Sequence, residues 1–130
     1  QCNVLYVTQT PLEIIKAACL KGLSSYEGRR HAVLYAMGEM RKVPIPIQPD
    51  KGIFVFPTQS PKAFHCHWIF YHHVKQIKPQ LEKPSPKSIN HFKDGQHLCL
   101  DQSHYQLEKQ MQRTAICILQ FNDYHDERSV

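Results

Sequence analysis

Three prolines within six residues, Pro44, Pro46 and Pro49, constrain this chain more than any other feature. Each fixes its own φ and removes an N–H, and each pushes the preceding residue toward extended backbone. No helix can run through this stretch. The chain must pass it as a rigid, extended connection, and the segments on either side can be read separately.

Before the prolines the signals are helical. In Thr10-Pro11-Leu12-Glu13, Thr10 can cap, Pro11 suits the first turn, and Glu13 completes a capping box. Leu12, Ile15 and Cys19 then form an apolar stripe, and Gly22 predicts the stop. Ser24 followed by Glu27 repeats the capping pattern and predicts a second helix start, with Gly38 as a stop. Within 31–37, Val33 and Tyr35 alternate with Ala32 and Leu34, so helix and strand both stay open there. Cys2 to Val7 reads as a short β-like edge piece.

After the prolines the signals are those of strands. Ile53 to Phe56 and Phe64 to Val74 are rich in aromatic and β-branched residues. Phe54, Phe56, Phe64, Trp68 and Phe70 could form a stacking platform for single strands, but aromatics at alternating sheet positions usually belong to the core. Pro79 to Pro86 reads as an internal Pro-rich surface linker. Phe92, Leu98 and Leu100 flank Lys93-Asp94-Gly95-Gln96, where Asp94-Gly95 predicts a two-residue hairpin turn. Ser103 with Gln106 caps a final helix whose stripe is Leu107, Met111, Thr114, Ala115, Ile118 and Phe121. Ala115 to Leu119 is apolar nearly all round, which asks for burial against the core or against a second subunit. The expected architecture is α+β: an antiparallel sheet flanked by an N-terminal helical segment and a C-terminal helix, in one domain over 1–130.

Charge is unevenly spread. Residues 1–80 hold 10 Lys/Arg against 4 Asp/Glu, whereas residues 81–130 hold 6 against 7. A basic half beside a near-neutral half suits an anionic partner. No apolar run approaches the roughly 18 residues of a membrane span. The five cysteines, Cys2, Cys19, Cys66, Cys99 and Cys117, have no C-x-x-C spacing and read as reduced thiols of a cytoplasmic protein. His65, Cys66, His67, His72 and His73 invite a metal. On a strand, His65, His67 and His73 would share one face, with Cys66 and His72 on the other, so no tetrahedral set forms and no metal or other cofactor is expected. No Gly-rich nucleophile turn or phosphate loop points to an enzyme.

The first candidate for contact with DNA is Ser25-Tyr26-Glu27-Gly28-Arg29-Arg30. Adjacent arginines beside a glycine allow close approach to a phosphate strand, and Ser25 and the helix N-terminus can donate to phosphate. Tyr26 could stack on sugar or anchor the turn. Arg41 and Lys42 extend the same basic surface, as could Lys62, Lys75 and Lys78. On charge alone this is also an ordinary solvated helix face. A helix-turn-helix over 11–37 fits poorly, because it places Lys21, Gly28 and His31 at apolar core positions.

Taken together, Ser24-Ser25-Tyr26-Glu27-Gly28-Arg29-Arg30, Val43-Pro44-Ile45-Pro46, Ile53-Phe54-Val55-Phe56-Pro57-Thr58, then Cys66, Trp68, Ile69, His73 and Val74 resemble the ComK family of bacterial competence transcription factors. Lys93-Asp94-Gly95 and Gln110-Met111-Gln112-Arg113-Thr114-Ala115 extend the likeness over nearly the whole chain. The resemblance implies a sequence-specific, double-stranded DNA-binding activator of competence genes. It would read pairs of AT-rich boxes as an oligomer, mainly through the minor groove, in the cytoplasm and at the nucleoid. Members of the family are longer at both ends, so the resemblance also implies missing terminal pieces. Among these is the tail gripped by an adaptor and a protease, which leaves that partner open here. Ile116 and Leu119, off the core stripe of the last helix, are the expected dimer contact. The rivals are a protein-interaction domain with an incidental basic face and a metalloenzyme using the histidine cluster.

Overall fold

The computed structural model of the chain describes residues 9–81 and 87–128, with side chains to Asn122. The β-like run at Cys2 to Val7 and residues 82–86 of the expected linker lie outside the described residues. Two helices, α1 (Pro11–Lys21) and α2 (Tyr26–Met37), precede strands β1 (Ile45–Gln48), β2 (Ile53–Pro57), β3 (Trp68–Phe70), β4 (Val74–Pro79), β5 (Ser88–Phe92) and β6 (His97–Leu100). Helix α3 (His104–Arg128) follows. The α+β arrangement is as expected, but the strands form two antiparallel sheets, β1-β2-β3 and β4-β5-β6.

The break between the sheets lies inside the segment read as one strand, Phe64 to Val74. Only Trp68–Phe70 is extended there. Tyr71–His73 then makes a single 3-10 turn, and the chain leaves in the second sheet. The expected linker at 79–86 falls between β4 and β5, and its described ends are paired. Pro79 pairs with Ser88, and the Gln80 N–H donates to the Lys87 carbonyl at 2.9 Å.

The helix starts follow local hydrogen bonding. Thr10 and Glu13 form the capping box, with bonds of 2.9 and 3.2 Å. Ser103 and Gln106 do the same for α3 at 3.0 and 3.1 Å. The second cap is Ser25 rather than Ser24: its Oγ accepts the Gly28 N–H at 2.9 Å. Gly28 then holds the third helical position, so no side chain reaches back and the box is half-made. Residues 31–37 are helical. Gly22 ends α1, yet its φ is −84°, and the left-handed residue is Leu23 at φ 65°. Glycine is needed at 22 for space, because a Cβ there would stand 2.5 Å from the Ile47 carbonyl oxygen of β1.

The β5–β6 turn is longer than Asp94-Gly95 suggested. The Gly95 N–H donates to the Phe92 carbonyl, and the Phe92 N–H to the Gln96 carbonyl. Gly95 has φ 91°. This is the three-residue connection with a left-handed glycine and a bulge, not the two-residue turn.

The core has two parts bridged by α3. Ile15, Cys19, Val33, Ile45 and Val55 pack on the helical side, and Cys117 of α3 joins them. Phe56, Ile69, Val74, Ile77 and Leu100 form the second part, which takes Leu107 of α3. The buried line of α3 is Leu107, Gln110, Thr114 and Cys117. It is therefore rotated from the apolar stripe expected, and Met111, Ala115 and Ile118 flank it half-buried.

Candidate nucleic-acid interface

The buried line of α2 runs through Tyr26 and Val33. Arg29 and Arg30 lie between them, on opposite sides of that line, and this separates their roles. Arg29 turns toward α1. Its Nη2 donates to the Gly22 carbonyl at 3.2 Å, and its Nε is buried without a hydrogen bond among the described residues. A guanidinium on the last carbonyls of α1 is a C-terminal cap. Tyr26 is core: it meets Trp68 edge-to-face at 6.2 Å, and Lys16 Nζ lies 5.9 Å from its ring centre. Burial pushes its phenol pKa up to about 12. Of the two roles open to Tyr26, the geometry is that of an anchor. Ser25 is exposed, with its Oγ engaged in the cap.

Arg30 stands where two hollows meet. One, of about 350 Å3, lies between the helices and residues 60–62, and Lys16, Arg30, Arg41 and Lys62 border it with Glu27. The other, of about 760 Å3, is bordered by Arg30, Arg41 and Lys42, by Gln59, Gln102 and Gln106, and by Asp101. Arg30, Arg41 and Ser60 belong to both, so the surface is continuous. Five cations thus face two carboxylates, and none of these five is in an ion pair among the described residues, where the single pair is His104–Glu108.

Two chain segments carry most of this surface: residues 40–42, entering β1, and residues 58–62, leaving β2. Gln110 ties them together. It is 1 % exposed, and its Nε2 donates to the carbonyls of Lys42 and Pro57, each at 3.0 Å. Its Oε1 accepts from Arg113 Nη1 at 3.0 Å. Pro44, Pro46 and Pro57 offer no N–H near this end of the β1–β2 pair. A buried carboxamide supplies two donors in their place.

The structure thus brings together Arg30, Arg41, Lys42 and Lys62 of the residues expected from sequence. It turns Arg29 and Tyr26 inward. Lys75 and Lys78 stand exposed on β4, outside both hollows. Sequence reasoning missed Lys16, Gln59, Gln102, Gln106 and Gln110. Only Gln106 carried a local signal, as a capping partner. Among the aromatics, Phe54 and Phe56 are buried, whereas Phe64 is exposed in a loop. His65 and His67 share that loop, and His72 and His73 sit in the 3-10 turn, so the expected common strand face does not exist. Among the described residues no three His, Cys, Asp or Glu side chains converge on a metal-sized site. Cys19, Cys66, Cys99 and Cys117 are free thiols, and burial pushes the Cys117 pKa up to about 12. Cys2 lies outside the described residues.

No helix among the described residues is long and apolar enough to cross a membrane. A protein-family model described as "ComK protein" matches residues 1–126. The chain is 34% identical over 125 residues to a protein of Bacillus subtilis (strain 168) named "Competence transcription factor". That alignment covers 96% of this chain and 64% of the relative, so the chain spans less than two thirds of the relative's length. No solved structure matches. The family match over nearly the whole chain, together with this identity, places the chain in the ComK family.

Proposed function

We propose that this chain is the double-stranded DNA-binding domain of a competence transcription factor, an activator that reads AT-rich boxes mainly through the minor groove. The observation that carries this reading is the continuous basic surface built by Lys16, Arg30, Arg41, Lys42 and Lys62. Cations carried on four separate segments can neutralise several phosphates and release their counterions. The amides of Gln59, Gln102 and Gln106 border the same surface and can hydrogen-bond to sugar or base edges. Helix α2 packs against β1 along Tyr26 and Val33, so it is not a free-standing reading helix. Arginines beside a concavity suit a narrow, electronegative A/T minor groove better.

Ile116 and Leu119 support assembly as a dimer, at least on DNA, since both are exposed on α3 beside its buried line, at 49% and 60%. A second copy covering them would give a two-fold arrangement matched to paired boxes.

The test is a salt titration of binding to an AT-box duplex and to a GC-rich control. Affinity should fall steeply with salt and favour the AT duplex, and methylation at guanine N7 in the major groove should interfere little. Salt-independent binding, or no preference between duplexes, rules the reading out. Sedimentation of Leu119→Asp against the parent, with and without duplex, tests the dimer.

A further inference from the structure

Phe64 is 93% exposed. It is held out on a loop that is braced, not loose. Thr58 closes the base: its N–H donates to the His67 carbonyl at 2.9 Å, and its Oγ1 accepts the His67 N–H at 3.0 Å. Two tight turns lie inside, Ala63 N–H to the Ser60 carbonyl and Cys66 N–H to the Ala63 carbonyl. Cys66, 6% exposed, fills the loop from within, its Sγ 3.6 Å from the Gln59 carbonyl and 3.5 Å from that of His67. A compact loop with close ends and its own packing presents its tip in a fixed place. The ring's aromatic neighbour among the described residues is His65, edge-on at 4.9 Å.

The same loop supplies Ser60, Pro61 and Lys62 to the basic surface, and Phe64 follows Lys62 by two residues. An exposed phenyl ring on the loop that carries Lys62 to the basic surface has one occupant that satisfies ring and cations together. A duplex offers phosphates to Lys62, Arg30 and Arg41, and stacked bases to the ring. We propose that Phe64 is an apolar wedge that inserts between base steps of the DNA held on this surface. The inference rests on the DNA-binding reading above. Wedges of this kind enter from the minor groove, partly unstack one step and kink the duplex. Pyrimidine–purine steps such as TA unstack most readily, so the wedge would favour AT-rich sites through deformability and without a base hydrogen bond.

The experiment compares the parent, Phe64→Ala and Phe64→Leu on one AT-box duplex carrying 2-aminopurine at a TA step. Because the side chain is exposed, all three should melt alike. The parent should raise the 2-aminopurine fluorescence on binding. Phe64→Ala should bind roughly tenfold more weakly, lose that rise, and keep the salt slope, since no charge is removed. Phe64→Leu, which keeps an apolar wedge, should retain most of both. Phe64→Ala with the parent's affinity and fluorescence overturns the wedge and leaves the basic surface standing. If Arg30→Ala and Arg41→Ala both bind as the parent does across salt, the surface itself is misplaced and the wedge falls with it. A change in the sedimentation of free Phe64→Ala would assign the ring to contact between copies, which also overturns the proposal.

Discussion

In the first sheet, β2 is buried at every position but Ile53, and β1 at every position but Gln48. In the second, β4 buries only Val74 and Ile77 of its six residues, and β6 only Leu100. Both sheets have three antiparallel strands, yet their surroundings differ. Helices α1 and α2 cover β1, and α3 lies along β2 and β4. The outer face of the second sheet, with Gln76, Lys78, His91, His97 and Cys99, has no such cover among the described residues. Enclosing a sheet leaves its side chains no room for surface chemistry, so its exposed polar groups gather on the connections at its end. That is where Arg41, Lys42 and Lys62 stand, on segments whose roots are fixed. The open sheet carries Lys75 and Lys78 exposed on β4, outside both hollows. The candidate basic surface owes its definition to the more buried half of the molecule.

The comparison can be broken first on stability. Ile45→Ala, at a fully buried position of β1, should cost about 2–5 kcal/mol in urea unfolding. Ile89→Ala, on the outer face of β5, should cost about 1 kcal/mol or less. Equal losses would mean that the two sheets are equally embedded. The next effect is at Gln110. Gln110→Met strands the Lys42 and Pro57 carbonyls without donors and should cost about 1–3 kcal/mol. At temperatures where the variant is fully folded, DNA affinity should still fall, because both cation-bearing segments lose their tie. Unchanged affinity would show that the segments need no such tie.

Alkaline pH should act on the enclosed half. Burial raises the Tyr26 pKa from 10.0 to about 12 and that of Cys117 from 9.0 to about 12. Both groups are held neutral by the fold. Their contribution is whole well below pH 9.0, the pKa of the unfolded thiol, and is lost as pH rises through that value toward 12. The loss by then should be on the order of 1–3 kcal/mol. Tyr26→Phe should reduce it, as read by unfolding midpoints across the alkaline range; an identical midpoint curve would place the phenol in water. The smallest effects sharpen the map of charge. Arg30→Ala, Arg41→Ala and Lys62→Ala should each flatten the salt slope of DNA binding by about one unit. Lys75→Ala and Lys78→Ala should leave slope and affinity unchanged. Arg29→Ala should lower stability by about 1 kcal/mol through the lost bond to Gly22, again with the slope intact.

Features of the fold that depend on near neighbours were legible. The boxes at Thr10/Glu13 and Ser103/Gln106, and the extended passage at Pro44–Pro46, need only a few adjacent residues. What escaped was decided by packing. Arg29 and Arg30 are adjacent, and only the position of α1 and of residues 41 and 62 makes one a helix cap and the other a surface cation. Phe64 sits in an aromatic run that reads as strand, and the turn built around Cys66 lifts it out. Gln110 lay outside the expected apolar stripe, and nothing local marks it as buried, because the carbonyls it serves lie 53 and 68 residues away in the chain. Of the candidate surface, Arg30, Arg41, Lys42 and Lys62 were named from sequence, but Lys16 was not, because it borders the hollow only through the placement of α1 beside α2.

The prolines that divide the chain have one further effect, on solubility. β1 is an edge strand, with Pro46 inside it and Pro44 just before. Edge strands are where foreign strands add and where fibrils begin, because they offer a free row of donors and acceptors. Here that row is missing donors, and a strand laid against it would find gaps. The two prolines are themselves fully buried, so the donor-poor edge lies under cover, and a foreign strand that reached it on partial unfolding would still find no continuous ladder to extend.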